Sequence, residues 1–414
     1  MNHATELLLS LFVAFVAAQI GGEVAQRLRL PSVVGQIAAG VAVGGSALGW
    51  VKSSEPLELL SELGAVLLLF AVGLETRLHE LKKVGKLALG VGALGVLVPF
   101  VLGAGWAVLS GFTTTKAAFV AAAFVATSAG ITAKVLQELG VLGRKESRII
   151  LGAAVIDDIL AMLLLAVVTG LQQGGGVDVL QLLKVVGLAV GFVVLVAVLG
   201  SKVMRNTGDL LEKPMDAESP LVIALAICLG LAVASAYIGL AAIIGAFLAG
   251  SILAETKHRA DLERDIRPIL ALLVPFFFVV TGTKVDVRLL TEGPVLIGVV
   301  VVTVLAIVGK MAGCGFAARK LGPRGAAIVG VGMVPRGEVG IIVASLGRQA
   351  GVFPASTYAI IIAMSLLTSI FAPPVLGRLL SPASERRRRR SAPSEGREDL
   401  PYEAVPGDAA EKGR

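Results

Sequence analysis

The chain has 414 residues, of which 56% are hydrophobic, 16% charged and 5% aromatic, and its mean hydropathy is +0.86. Because soluble domains carry about 25% charged residues, this composition excludes a soluble globular protein. The formal net charge of +7 is accompanied by too few aromatic side chains for a nucleic-acid stacking platform. We therefore expect no nucleic-acid partner.

The apolar residues form blocks of roughly 20, the length that a helix needs to cross ~30 Å of hydrocarbon. Such solid runs exclude a β-barrel, whose strands alternate between apolar and polar residues. We predict an all-α polytopic membrane protein with about thirteen transmembrane helices. The predicted spans are residues 5–26, 31–50, 57–76, 86–109, 115–138, 147–171, 179–204, 218–236, 238–254, 268–284, 293–318, 324–348 and 355–380.

Lys and Arg concentrate in the loops that follow the odd-numbered spans. The positive-inside rule therefore predicts an external N-terminus and a cytoplasmic C-terminus in the cell membrane. No Lys or Arg precedes Arg27, so the first segment lacks the basic region of a signal peptide and is predicted to be a retained span.

Residues 1–380 form the predicted transmembrane domain. Residues 381–414 are rich in Arg, Glu, Ser, Pro and Gly, which predicts a disordered cytoplasmic tail. Its arginine run, Arg386 to Arg390, is either solvated or in contact with anionic lipid. Cys228 and Cys314 lie singly in apolar spans and the three histidines are isolated. We therefore expect neither a disulfide nor a resident cofactor.

Two spans carry polar and helix-breaking residues near their centres. These are Thr127, Ser128, Gly130 and Thr132 in the fifth span, and Pro335, Arg336, Gly337 and Glu338 in the twelfth. Interrupted helices free backbone groups that can bind ions. The fifth and twelfth spans are seven apart, an odd number, so they cross the membrane in opposite directions. This arrangement predicts inverted repeats with two broken crossing helices, as in secondary transporters. A pair of ordinary kinks is the alternative.

The sixth span contains two adjacent carboxylates, Asp157 and Asp158. An ionisable residue there costs about 2.5–3.5 kcal/mol on insertion and indicates a functional site. Neighbouring helical residues point ~100° apart, so one carboxylate can face an aqueous cavity while the other faces a helix. Carboxylate oxygens suit a hard cation, and a group that binds either H⁺ or Na⁺ can exchange them. A helix cap beside an ion-paired Asp is the structural alternative.

Three further charged groups, Lys310, Arg336 and Glu338, lie within later spans. A buried Lys310 in the eleventh span requires an anion, and Asp157, Asp158 and Glu338 lie at matching depth. Its ion pair is either purely structural or part of the titrating site. Arg336 and Glu338 either compensate the dipoles of the half-helices or contribute directly to the ion path.

Several segments, in order, resemble the monovalent cation/proton antiporter family, and in particular its NapA-like sodium/proton branch. They are RLRLPSVVGQIAAGVAVG, ELGAVLLLFAVGLETRL, ATSAGITAKVLQELG, GAAVIDDILAML, GAFLAGSILAET, LLVPFFFVVTGTKVDVR and GMVPRGEVGIIVA. The likeness covers nearly all of residues 20–380. It implies a homodimer of protomers with core and dimerisation domains, in which the core moves like an elevator.

The resemblance also implies roles for individual residues. Asp158 matches the ion-binding carboxylate, and Asp157 matches the carboxylate that pairs with the lysine, here Lys310. Thr127 and Ser128 match polar groups near an alkali cation bound at Asp158. Glu338 matches the acidic residue of the second broken helix, with Arg336, Pro335 and Gly130 as supporting residues. The two-Asp pattern implies electrogenic exchange.

The sequence therefore predicts an electrogenic antiporter of Na⁺ or Li⁺ against H⁺, with no enzymatic residues. A K⁺/H⁺ antiporter on the same fold is the closest alternative. Kef-type potassium efflux relatives often add a nucleotide-binding domain, and we expect none here. An intramembrane aspartyl protease is disfavoured, because it needs two Asp on separate helices and Asp157 and Asp158 are neighbours on one helix. A receptor or scaffold is disfavoured as well, because it would not need Asp157, Asp158 and Lys310 in the bilayer.

Overall fold

The structure is a computed structural model that describes residues 3–52, 54–76, 78–172, 183–184, 187–196, 198, 220–285, 288, 293–349 and 351–380. Helices make up nearly all of the regular structure in these residues, with one short 3₁₀ turn and one isolated bridge. The helices are α1 (His3–Arg27), α2 (Ser32–Val43), α3 (Glu55–Leu74), α4 (Leu78–Leu109), α5 (Thr114–Val125), α6 (Ala129–Glu138), α7 (Lys145–Gln172), α8 (Gly187–Val196), α9 (Pro220–Tyr237), α10 (Ala242–Leu253), α11 (Arg259–Asp265), α12 (Arg267–Thr283), α13 (Gly293–Ala317), α14 (Gly322–Gly332), α15 (Glu338–Gln349) and α16 (Ala355–Leu380).

The all-α membrane prediction is confirmed. Among the described residues, seven spans are long and apolar enough to cross a membrane, or eight if α11 and α12, bent by 55°, form one span. Outer helices expose large apolar side chains, such as Leu8 and Phe12 on α1, as expected where lipid is the solvent. The number thirteen stays a prediction, because only half of the predicted span at 179–204 lies within the described residues.

Two predicted spans are shorter than expected. The helices in 31–50 and 238–254, α2 and α10, have 12 residues each, or about 18 Å of helix. α2 ends because Gly44 adopts an extended conformation, with ψ of 167°. The chain then turns through Gly49, whose φ of 71° is readily adopted only by glycine.

Both predicted helix interruptions are present. The fifth span divides between α5 and α6, and the twelfth divides between α14 and α15. In the first break Ser128 has an extended backbone, and Ala126, with φ of −53° and ψ of 135°, lies outside the helical region. In the second, Pro335 lacks an N–H group and disfavours a helical conformation for the residue before it. The inverted-repeat relationship between the two spans stays a prediction.

The helices pack as two sets. The first helix set comprises α1–α3 and α9–α12, and the second comprises α4, α5, α7 and α13–α16. α6 lies between them, in contact with α2 and α3 on one side and with α7 and α16 on the other. The assignment of these sets as dimerisation and core domains stays a prediction.

Close glycine contacts join the helices of the first set. A methyl group added to Gly40 on α2 would lie 2.1 Å from the carbonyl oxygen of Val279 on α12. One added to Gly250 on α10 would lie 2.1 Å from the carbonyl oxygen of Phe70 on α3. Any larger residue at either position would push the backbones apart, so small residues permit this packing.

The described helices belong to one compact unit that ends at Leu380. The predicted disordered tail, residues 381–414, lies outside the described residues.

Candidate functional site

The two helix breaks meet each other. The backbone N–H of Ser128 donates a hydrogen bond to the carbonyl oxygen of Pro335 at 2.7 Å. The Thr132 hydroxyl donates to the Gly332 carbonyl at 2.7 Å, and the Thr127 hydroxyl lies 3.4 Å from the Met333 carbonyl oxygen. Backbone groups freed by one interruption are thus satisfied by the other, as buried polar groups require.

Asp157 and Lys310 form a buried ion pair next to these breaks. Lys310 Nζ lies 2.6 Å from Asp157 Oδ1, and both side chains are fully buried. The pair joins α7 to α13, and α4 packs against both helices. The second carboxylate oxygen, Oδ2, is buried and has no hydrogen-bond partner among the described residues. One oxygen of Asp157 is therefore neutralised by the ammonium, while the other can accept a proton or a water hydrogen bond.

Gly95 on α4 makes room for this ion pair. A methyl group at Gly95 would lie 2.7 Å from Cys314 Sγ, 3.7 Å from Lys310 Nζ and 3.9 Å from Asp157 Oδ1. Nothing in the local sequence distinguishes Gly95 from other membrane glycines, so its position beside the site was not predicted.

Asp158 has different surroundings from its neighbour, as their ~100° separation on a helix requires. Its side chain is 4% exposed and lines a cavity of ≈ 10 Å³ together with Ala129 of α6 and Leu69 and Phe247 of the first helix set. Such a cavity has room for about one water molecule. Asp158 therefore lies where the second helix set meets the first, next to the residue that follows Ser128.

Arg336 is fully buried in the second break. Its Nε donates to the Phe124 carbonyl at 3.1 Å, Nη2 donates to the same oxygen, and Nη1 lies 3.3 Å from the Val334 carbonyl oxygen. Phe124 lies in the last turn of α5, the negative end of a half-helix dipole. This geometry favours the interpretation in which Arg336 compensates a helix dipole.

The remaining predicted residues are distributed around the breaks. Gly130 faces the first helix set, because a methyl group on it would lie 3.1 Å from Phe277 Cε1. Glu338 begins α15, but its side chain lies outside the described part of the chain. A larger cavity of ≈ 550 Å³ lies beside α6, and its lining includes Gln36, Glu75 and Glu138.

We expect Gly337→Ala to raise the apparent KM for the transported cation more than it lowers the maximal rate. A methyl group at Gly337 would lie 2.6 Å from Ser128 Oγ, so it would displace the hydroxyl predicted to ligate the ion. Gly105→Ala is the matched control, since nothing lies within 4 Å of that position. Transport rates over a cation titration measure both constants, and an unchanged KM in Gly337→Ala would remove Ser128 from the binding site.

Most of the chain is similar to a known protein family and to characterised proteins. A sequence profile of the family described as sodium/hydrogen exchanger, transmembrane, matches residues 10–381. The high-affinity Na⁺/H⁺ antiporter NhaS3 of Synechocystis is 37% identical over 412 residues, with 89% of each chain covered. The Na⁺/H⁺-K⁺ antiporter GerN of Bacillus cereus is 34% identical, with 90% of this chain and 95% of GerN covered.

A similar fold occurs in a solved structure. The sodium proton antiporter MjNhaP1 of Methanocaldococcus jannaschii matches with a TM-score of 0.66 and 15% sequence identity. The match covers 96% of this chain and 100% of that one. The all-helical arrangement described above is therefore an arrangement known from experiment.

Proposed function

The chain belongs to the sodium/hydrogen exchanger family of multi-pass membrane antiporters, and we propose that it exchanges Na⁺ or Li⁺ for H⁺ across the cytoplasmic membrane. The observation that carries this proposal is the pair of adjacent, buried carboxylates with different surroundings. Asp157 is held by Lys310, while Asp158 lines a cavity beside the first helix break. The protein is a transporter and not an enzyme.

Asp158 is the proposed exchange site. Its carboxylate binds either a proton or the cation, so arrival of one releases the other. The cavity beside it, at ≈ 10 Å³, is too small for a hydrated ion, and the cation therefore exchanges part of its hydration shell for protein oxygens. Thr127 and Ser128, in the neighbouring break, are the proposed hydroxyl ligands. The hard oxygen set suits an alkali cation.

The proposed exchange is electrogenic. A cation at Asp158 places positive charge close to the Asp157–Lys310 pair and weakens the attraction that holds its proton. The pair then releases a proton together with the one displaced from Asp158, as a coupled unit. Two protons for one cation move net charge across the membrane in each cycle.

We propose that alternating access depends on movement of one helix set relative to the other. Because α6 and Asp158 lie at their boundary, displacement of the second set along the first would carry the site from one side of the membrane to the other. We propose this elevator-like movement, with the first set forming the contact in a homodimer. We also propose an external N-terminus and a cytoplasmic C-terminus, from the distribution of Lys and Arg.

Transport by purified protein in liposomes tests this function. With a pH gradient imposed and a fluorescent pH indicator inside, we expect Na⁺ and Li⁺ to collapse the gradient at rates that saturate with concentration, and K⁺ to act much more weakly. A response to K⁺ alone would favour the K⁺/H⁺ alternative, which the name of GerN makes the specific rival. No response to any alkali cation would refute the proposed function.

A further inference from the structure

The two ends of α6 are held by different partners. At its N-terminal end, Ser128 and Thr132 bond to the second helix break, within the second helix set. At its C-terminal end, Gln137 and Glu138 bond to residues of the first helix set. α6 has 10 residues and spans about 15 Å, so it connects these contacts to the proposed ion site.

The C-terminal contacts are specific hydrogen bonds. Gln137 Nε2 donates to Glu75 Oε1 at 2.9 Å, just past the end of α3. The backbone N–H of Ser32 donates to Glu138 Oε2 at 3.1 Å, and the Ser32 hydroxyl donates to Glu138 Oε1. Because Ser32 begins α2, the Glu138 carboxylate lies at a helix N-terminus, where a negative charge is stabilised.

These bonds can open without leaving an isolated buried charge. Lys134 Nζ lies 3.7 Å from Glu138 Oε1, and both side chains are partly exposed. When Ser32 separates from Glu138, Lys134 therefore still balances the carboxylate. Glu75 and Gln137 line the ≈ 550 Å³ cavity, where water can replace their mutual hydrogen bond. Contacts of this kind hold a conformation while remaining reversible.

We propose that Gln137 and Glu138 are positioning residues for transport: their bonds to Glu75 and Ser32 fasten α6 to the first helix set, and these bonds break and re-form in every cycle. This inference rests on the proposed function, because a cycle in which the helix sets move is required. Within the described residues, no other side-chain hydrogen bond links α6 to the first set.

A reversible cross-link tests the inference. In Ser32→Cys/Glu138→Cys, a short bifunctional methanethiosulfonate reagent would fasten the contact permanently, and Glu75→Cys/Gln137→Cys provides a second, independent pair. Arg259→Cys/Glu263→Cys is the matched control, since its native partners lie 2.5 Å apart within α11 and no movement between sets separates them. The native Cys228 and Cys314 are buried, and wild type treated with the reagent measures their contribution.

The bridging pairs are the two cysteine pairs that connect α6 to the first helix set, and each is assayed if it is active before treatment. In such a pair we expect cross-linking to reduce cation/proton exchange at least about tenfold, which corresponds to 1.4 kcal/mol. A reductant restores the rate, and the control pair keeps its activity throughout. If a variant with a bridging pair keeps its full exchange rate after mass spectrometry has verified the cross-link, the inference is overturned. Wild-type protein that exchanges no cation would refute the proposed function instead.

Discussion

Asp158→Asn is expected to reduce cation-driven proton movement to the level of protein-free liposomes. Asparagine has about the same size as the aspartate side chain that lines the ≈ 10 Å³ cavity. It cannot, however, bind and release a proton or carry a negative charge. Exchange at a single carboxylate is then impossible, whatever the cation concentration. The gradient-collapse assay with Na⁺, Li⁺ and K⁺ measures this loss directly.

Loss of activity in Asp158→Asn is informative only if the protein folds. We expect its thermal unfolding temperature and its yield to remain close to wild type, because the Asp157–Lys310 pair is untouched. Asp261→Asn, on the half-exposed face of α11, is the matched control and should retain exchange. Near wild-type exchange by folded Asp158→Asn would show that another group carries the ion.

Lys310→Gln is expected to have the second large effect, on both stability and charge movement. Lys310 and Asp157 are fully buried at 2.6 Å, and removal of one partner of a buried ion pair destabilises a protein by about 3–5 kcal/mol. Part of this loss should be regained in Asp157→Asn/Lys310→Gln, where neither charge remains. Thermal unfolding of the two single variants and the double variant gives the coupling between the two side chains.

The same Lys310→Gln variant tests the proposed stoichiometry. Without a second titrating group, an active variant would exchange one proton for one cation, and its transport should become insensitive to membrane potential. In the wild type, an imposed potential should bias exchange by about 2.3 kcal/mol per charge per 100 mV. Na⁺-driven current on a solid-supported membrane distinguishes the two cases.

Two results of the current measurement would require revision. Absence of a transient current in wild type that is active in the liposome assay would contradict electrogenic exchange. An undiminished current in an active Lys310→Gln would preserve electrogenic exchange but would limit Lys310 to a structural role beside Asp157.

Much of the architecture can be predicted from the amino-acid sequence, because a membrane interior penalises polar groups strongly. A charged side chain or a broken backbone is tolerated there only with a specific reason. Asp157, Asp158 and Lys310 therefore stand out without any alignment. The two breaks stand out in the same way, since Gly and Pro interrupt otherwise solid apolar runs.

Helix length and long-range partners required the tertiary structure. α2 ends at Val43 within an apolar run, so hydropathy did not reveal that its helix has 12 residues. Arg336 bonds to Phe124, 212 residues away, and Ser32 to Glu138, 106 residues away. Neither local propensity nor apolar pattern encodes such contacts, because they depend on which helices pack side by side and at what depth. The same packing directs Asp157 towards Lys310 and Asp158 towards the boundary between the helix sets.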